Sequence, residues 1–164
     1  MFLLDAEILF DLRHARTDGD DAALAGWAQR TSRQSMFLSA LSLVELENAA
    51  ALAAKQGKAA GAAWRDWIDG QLLPAFAGRV LPIDLAIARR RATLPLDQDR
   101  NALLAATALE HGLTLVTYRA ATFRGARVKL FDPSRAAPDA DEGGDWREAT
   151  RERSPWIRSL FIRG

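Results

Sequence analysis

The stretch NALLAATALEHGLTLVT, residues 101–117, decides the fold. Its apolar and alanine-rich first half predicts a helix over 99–111. Gly112 follows where glycine is favoured, because it adopts the left-handed backbone that ends a helix. The apolar residues 113–117 then predict a strand. A helix that runs through one glycine into a strand is typical of an α/β protein.

Four other short apolar segments predict strands, at residues 1–4, 35–39, 80–83 and 128–131. Stretches with helical patterns separate them, and this alternation favours a parallel sheet covered on both faces. We therefore predict an α/β fold, a three-layer α/β/α sandwich with a central parallel sheet of four or five strands. The composition changes at Pro133, which predicts one domain over 1–133, a linker over 134–144 and a C-terminal extension over 145–164 that docks on the domain or on a partner.

Composition excludes several classes of protein. The chain has no cysteine, so it has no disulfide, no thiolate zinc site and no cysteine nucleophile. Its formal net charge of +1 does not indicate nucleic-acid binding through bulk charge. The apolar N-terminus has no basic residue before Asp5 and does not read as a signal peptide, and no run approaches the roughly 18 apolar residues of a membrane span. We expect a soluble, cytoplasmic protein without a membrane segment.

Two carboxylates are candidates for a functional site. Asp5 follows the first predicted strand, and Glu45 lies early in the helix predicted over 41–56. Ends of parallel strands form a crevice where such groups meet, and a divalent cation relieves their repulsion. A structural interpretation stays open, in which Asp5 caps a helix and Glu45 completes a capping box with Ser42 as the N-cap.

Four segments carry a family resemblance: MFLLDAEIL, LSALSLVELENA, NALLAATALEHGLTLVT and FRGARVKLFDP. They resemble the motifs of the PIN-domain family, in particular the VapC-type ribonuclease toxins of type II toxin–antitoxin systems, over roughly residues 1–133. The resemblance places the four catalytic acids of the family at Asp5, Glu45, Asn101 and Thr122. The last two positions are neutral here, and the family's Thr-Arg-Asn motif has Arg119 at its third position.

The resemblance implies Mg²⁺ or Mn²⁺ as the cofactor, with Asp5 and Glu45 as metal ligands. Because two of the four acids are missing, we expect weak or absent metal binding. An alternative is a rebuilt site, in which Glu7 swings in as a stand-in ligand and Asp97 or Asp99 reaches in from the loop before Asn101.

Arg119, at the position of the Asn in the family's Thr-Arg-Asn motif, and basic residues of the tail are candidates for binding. We expect Arg119 or an arginine of the tail to occupy the acidic pocket in place of a metal. The tail offers Trp156, Arg153, Arg158 and Arg163. It either packs on its own domain or acts like the C-terminal segment of an antitoxin, which in the family lies across the toxin and sends an arginine toward the acids.

Other conspicuous residues have simpler interpretations. His14 and His111 are expected to end helices, and the basic run at 89–91 is expected to be a solvated helix face. Trp64 and Trp67 have helical spacing and favour a core or dimer surface over a base-stacking platform. The resemblance implies a homodimer.

These observations predict a VapC-like PIN-domain protein that is a weak or inactive nuclease and keeps a nucleic-acid-binding or protein-binding role. One alternative is an active Mg²⁺-dependent endoribonuclease, the toxin of a toxin–antitoxin pair with an antitoxin-like partner and an RNA substrate. A second alternative is a partner-binding subunit that uses its C-terminal tail.

Overall fold

The structure is a computed structural model that describes residues 1–14 and 22–135. In these ranges it contains the strands β1 Phe2–Leu4, β2 Met36–Ser39, β3 Val80–Leu81, β4 Thr114–Val116 and β5 Leu130–Phe131. They form one five-stranded sheet in the order β3-β2-β1-β4-β5, and every pair of neighbours is parallel. The predicted parallel sheet is confirmed.

Helices connect the strands. They are α1 Ala6–His14, α2 Ala22–Arg30, α3 Ala40–Gln56, α4 Lys58–Trp67, α5 Leu73–Ala75, α6 Leu85–Ala92 and α7 Asp99–Glu110. A π-helical segment, Ile68–Leu72, joins α4 to α5, and 3₁₀ turns occur at Arg33–Ser35, Ala120–Phe123 and Pro133–Arg135. Gly112 has a φ of 63°, so it ends α7 with the left-handed backbone predicted for it.

The sheet is packed on both faces. Successive residues of a strand point to opposite faces, and in β1 Leu3 and Leu4 accordingly belong to different cores. Leu4 packs in the larger core with residues of α1, α2, α3 and the α4–α5 region, whereas Leu3 packs in the smaller core with α7. Two cores separated by a sheet make three layers, which confirms the predicted α/β/α sandwich.

The start of α3 differs from the prediction. Ser39 is the N-cap, and its side chain accepts a hydrogen bond from the Leu41 amide at 3.2 Å. The prediction of Ser42 as N-cap is therefore wrong; its hydroxyl donates to the carbonyl of Leu4 at 3.2 Å and ties α3 to β1. Because the helix begins earlier, Glu45 lies beyond the capping positions and its carboxylate serves another contact.

The tryptophans of α4 belong to the packed interior. Trp67 is buried in the larger core, and Trp64 packs edge-on against Phe10 with ring centroids 5.6 Å apart. The guanidinium of Arg13 covers the Trp64 ring at 3.9 Å. The core interpretation of these tryptophans is confirmed. The predicted linker enters the described ranges only at Ser134 and Arg135, and the extension over 145–164 lies outside them.

No helix in the described part of the chain is long and apolar enough to cross a membrane.

Candidate functional site

Asp5 lies at the point where the strand order of the sheet reverses. It follows β1, whose two neighbours β2 and β4 lead to opposite edges of the sheet, and functional groups of α/β proteins gather at this position. Its amide donates to the Val116 carbonyl at 3.1 Å, and its Oδ1 accepts from the Ala6 amide at 2.7 Å. The carboxylate is 0% exposed. A charged group that is fully buried requires a partner, because removal from water is costly.

That partner is Arg100, on the first turn of α7. Its Nε donates to Glu45 Oε1 at 2.6 Å, and its Nη2 donates to Glu45 Oε2 at 2.9 Å and also to Asp5 Oδ1. Its Nη1 donates to Asn101 Oδ1 at 3.1 Å and makes a longer contact of 3.5 Å with Asp5 Oδ2. A guanidinium has five N–H donors, and each of them has an acceptor here.

The electrostatics of this arrangement favour the charged guanidinium. The hydrogen bond to Glu45 raises the pKa of Arg100 above its ordinary value, partial burial opposes this effect, and the hydrogen bond and charge of Asp5 add to it. The single positive charge of Arg100, at the start of α7, thus links Asp5, which follows β1, to Glu45 in α3.

The prediction that Arg119 occupies the acidic pocket is therefore wrong, and the alternative of a tail arginine concerns residues outside the described ranges. Arg100 lies one residue before Asn101, so the start of α7 carries it between Asp5 and Glu45. Arg119 follows β4 and pairs with Glu7 instead, at 2.6 Å. Arg153, Arg158 and Arg163 lie outside the described residues, as does Trp156.

Asn101 and Thr122, the two neutral residues at positions where the family has acids, differ in their burial and in their contacts. Asn101 is buried, accepts from Arg100 and donates from Nδ2 to Gln98 Oε1 at 3.0 Å, so it belongs to the acidic pair's network. Thr122 is exposed, and its hydroxyl donates to the carbonyl of Arg119 at 2.8 Å. Thr122 thus supports the turn after β4.

A second network adjoins the first. The Thr117 hydroxyl lies 3.0 Å from Asp5 Oδ2 and 2.7 Å from Glu7 Oε1, and it accepts from the Arg119 amide at 3.1 Å. Glu7 Oε1 also accepts from the Tyr118 amide at 3.0 Å. Glu7 therefore contacts the residues after β4, and Thr117 links it to Asp5.

These contacts change the acidity of Glu7. Burial alone would raise the pKa of Glu7, but the hydrogen bonds from Thr117, Arg119 and the Tyr118 amide, together with the charge of Arg119, lower it below its ordinary value of 4.5. A carboxylate whose pKa is depressed by folding stabilises the protein above the unfolded-state pKa, and this stabilisation is lost as the pH falls through the folded-state pKa.

We therefore predict that Glu7→Gln flattens the acid limb of the stability profile. From neutral pH down through 4.5 and below, the free energy of unfolding should fall less in Glu7→Gln than in the unmodified protein. Urea unfolding at a series of pH values measures this difference. Glu47→Gln, which makes the same chemical change at the Arg65 pair on α3, is the control. Parallel profiles of Glu7→Gln and the unmodified protein would contradict the prediction.

The acidic residues present do not fit a divalent cation in this arrangement. Within 1–14 and 22–135, no group of three histidine, aspartate or glutamate side chains lies together in a way that could hold a metal ion. Asp5 and Glu45 direct their oxygens to Arg100, whereas Mg²⁺ needs anionic oxygens that are open to it. Asp99 pairs with Arg91 at 2.8 Å, and Asp97 is exposed. The described contacts do not bring either of them to the pair.

The remaining candidates lie away from these networks. His14 ends α1 and contacts the Phe10 carbonyl at 3.0 Å, and His111 caps the end of α7. Arg90 pairs with Glu110 at 2.5 Å, and Arg91 pairs with Asp99, so the basic run of α6 joins α6 to α7 at the surface.

Sequence reasoning found Asp5, Glu45, Glu7 and Asn101, and the structure brings them into two adjoining networks. It missed the role of Arg100, although the position of this residue directly before Asn101 could have indicated that its charge lies near the acids. Thr117 stands at the first position of the Thr-Arg-Asn motif, and its contacts with two carboxylates depend on the fold.

The fold and the position of the acidic residues define the class of the protein. It is an α/β/α domain with carboxylates at the ends of its central parallel strands, where the strand order reverses. The chain belongs to the PIN-domain family, whose sequence pattern matches residues 2–124. The family resemblance drawn from the motifs is confirmed.

Curated relatives agree with this assignment. VapC ribonuclease Y4jK of Sinorhizobium fredii is 29% identical over an alignment of 141 residues that covers 81% of this chain and 97% of the relative. Toxin FitB of Neisseria gonorrhoeae is 28% identical, and plasmid stability protein StbB of Pseudomonas syringae pv. tomato is 27% identical, each over 81% of this chain and 98% of the relative. The predicted similarity to VapC-type toxins is confirmed.

Solved structures share the fold. The crystal structure of FitAcB from Neisseria gonorrhoeae matches with a TM-score of 0.74 at 25% identity, over 82% of this chain and 99% of that chain. The structure of FitAB bound to an IR36 DNA fragment matches with a TM-score of 0.72 at 24% identity, over 84% of this chain and 98% of that chain. The second likeness concerns the fold alone.

Proposed function

We propose that this chain is a toxin-type PIN-domain protein whose RNA cleavage is weak or absent and which acts by binding nucleic acid or a partner protein. The observation that carries the proposal is Arg100, whose guanidinium holds both Asp5 and Glu45. A cation at this position neutralises the carboxylates that a metal would need. Neutral side chains at Asn101 and Thr122 remove two further charges relative to the family pattern.

The partner in this proposal is a protein of antitoxin type. Support comes from the family and from the names of its relatives, one of which is a toxin and another a ribonuclease. A homodimer and an RNA ligand belong to the same proposal by family resemblance. Mg²⁺ or Mn²⁺ is expected to bind weakly or not at all while Arg100 keeps its contacts.

The proposal predicts that the unmodified protein produces little or no metal-dependent RNA cleavage. A structured RNA labelled at one end is incubated with the full chain and Mg²⁺ or Mn²⁺, and the products are separated on a denaturing gel. Asp5→Asn is prepared in parallel, because it keeps an oxygen at Oδ1 and removes the charge. Equal product from both proteins is the expected outcome. Cleavage by the unmodified protein that Asp5→Asn abolishes would contradict the proposal.

A second candidate function is an active Mg²⁺-dependent endoribonuclease. One observation favours it: Thr117 links the carboxylate of Glu7 to Asp5, so a third acid lies next to the pair. For that acid to act, both Arg100 and Arg119 would have to leave their carboxylates. The cleavage assay above separates the two candidates.

A further inference from the structure

A basic segment follows β4. Only its first residue, Arg119, takes part in the hydrogen-bond networks around Asp5 and Glu7. This basic segment, residues 119–129, has the sequence RAATFRGARVK and carries Arg119, Arg124, Arg127 and Lys129. No acidic residue occurs between Glu110 and Asp132. A chain whose formal net charge is only +1 therefore concentrates positive charge in one stretch.

The packing of this segment exposes its basic side chains to solvent. Phe123 and Ala126 are buried and pack in the smaller core, which also contains residues of α7. Between and beyond them, Arg124, Arg127 and Lys129 are exposed. The backbone is held as well, because the Ala126 amide donates to the Phe123 carbonyl at 3.1 Å and the Lys129 carbonyl accepts from the Leu115 amide at 2.8 Å. The basic side chains thus extend outward from an anchored backbone.

These cations differ in their partners from three arginines of the helices. Arg65, Arg90 and Arg91 each pair with a carboxylate on a neighbouring helix. Within the described ranges, Arg124 and Arg127 form no ion pair, and neither does Lys129. Arg119 is bound by Glu7 through Nε, and its side chain is 55% exposed beside the acidic site.

The kind of surface indicates the kind of ligand. The exposed residues of the basic segment are its four cations, the hydroxyl of Thr122 and the small residues Ala121 and Gly125. A protein interface needs a desolvated centre with large apolar or aromatic side chains, and none of the exposed residues here supplies one. Arginine, lysine and threonine are the side chains that contact phosphate and sugar oxygens.

We propose that the basic segment binds the phosphate backbone of a nucleic-acid strand. This inference rests on the binding role in the proposed function and is independent of whether RNA is cleaved. The anchored Arg119 would place one phosphate next to the acidic site, and Arg124, Arg127 and Lys129 would continue the contact along the surface.

The test measures binding of the full chain to labelled single-stranded RNA, single-stranded DNA and duplex DNA of one sequence, by fluorescence anisotropy over a range of salt concentrations. The test variant combines Arg124→Gln, Arg127→Gln and Lys129→Gln, none of which touches the acidic site. The control combines Lys55→Gln, Lys58→Gln and Arg89→Gln, which are exposed residues of other elements and remove the same charge. Thermal unfolding verifies that both variants fold.

We expect the test variant to bind at least about tenfold more weakly than the control, with a salt slope reduced by about 2, since each lost phosphate contact on a single strand removes roughly 0.7 from it. A preference for RNA or for DNA would identify the source of the phosphates. The proposal is overturned if both variants lose affinity equally, if none of the three nucleic acids binds, or if polyglutamate competes with the protein for the strand as well as unlabelled strand does. Cleavage by the unmodified protein, with this binding pattern intact, would overturn only the proposed function.

Discussion

Replacing Arg100 with glutamine is expected to lower the free energy of unfolding by about 3 kcal/mol, because one partner of a buried ion pair is removed. Asp5 is fully buried, and Arg100 supplies the cationic contacts to its carboxylate within the described ranges. Glutamine can donate fewer hydrogen bonds and carries no charge. The Asp5 carboxylate would then face Glu45 without a cation between them, and the two like charges would repel.

The matched control is Arg90→Gln. Arg90 also pairs with a glutamate, but both side chains of that pair are more than 30% exposed, at 42% for Arg90 and 32% for Glu110. An exposed pair contributes at most about 1 kcal/mol, so the control should unfold close to the unmodified protein. Urea unfolding at neutral pH measures both variants. Adding Asp5→Asn to Arg100→Gln should recover part of the loss, because the uncompensated charge is gone. Equal losses for Arg100→Gln and Arg90→Gln would contradict the role given to Arg100.

The fold was predictable because its determinants are local. The helix–glycine–strand unit at 99–117 depends on apolar spacing and on one glycine, and the structure reproduces it with α7, Gly112 and β4. Short apolar runs between helices predicted the parallel sheet for the same reason. The N-terminus of α3 was predicted less well, since Ser39 and Ser42 are both plausible caps and the choice between them depends on contacts with β1.

The site was only half predictable. A motif shows which positions carry acids in the family, and in the structure Asp5, Glu45 and Asn101 all contact Arg100. The position of a long side chain such as Arg100 depends on how α7 approaches β1 and α3, which are distant in sequence. Comparison with a family also directs attention to the aligned acidic positions, whereas Arg100 lies beside one of them and not on it.

The two networks together compensate the negative charge of this edge. Three carboxylates, those of Asp5, Glu7 and Glu45, meet two guanidinium groups, those of Arg100 and Arg119. The hydroxyl of Thr117 connects the networks between Asp5 and Glu7. The positive charges that compensate these carboxylates are side chains of the protein itself.

Restoring the missing acids while removing Arg100 is expected to convert the edge into a divalent-cation site. In the variant Arg100→Gln/Asn101→Asp/Thr122→Asp, the cation between Asp5 and Glu45 is lost and two carboxylates are added. The acids would repel one another in the free protein and offer the anionic oxygens that Mg²⁺ and Mn²⁺ prefer. We expect Mn²⁺ to raise the unfolding free energy of this variant by about 2.7 kcal/mol at a concentration one hundred times its Kd.

The double variant Arg100→Gln/Asn101→Asp separates the contributions of the two added acids to metal binding. Asn101 already contacts Arg100, whereas Thr122 donates a hydrogen bond within the turn after β4. We expect it to bind Mn²⁺ more weakly than the triple variant and more tightly than the unmodified protein, as measured by calorimetry and by thermal unfolding with and without the ion. The triple variant should also cleave RNA, and Asp5→Asn in that background should abolish both cleavage and the stabilisation by Mn²⁺. If the unmodified protein gains as much stability from Mn²⁺ as the triple variant, Arg100 does not exclude the metal, and the acidic pair must open readily enough for a cation to displace the guanidinium.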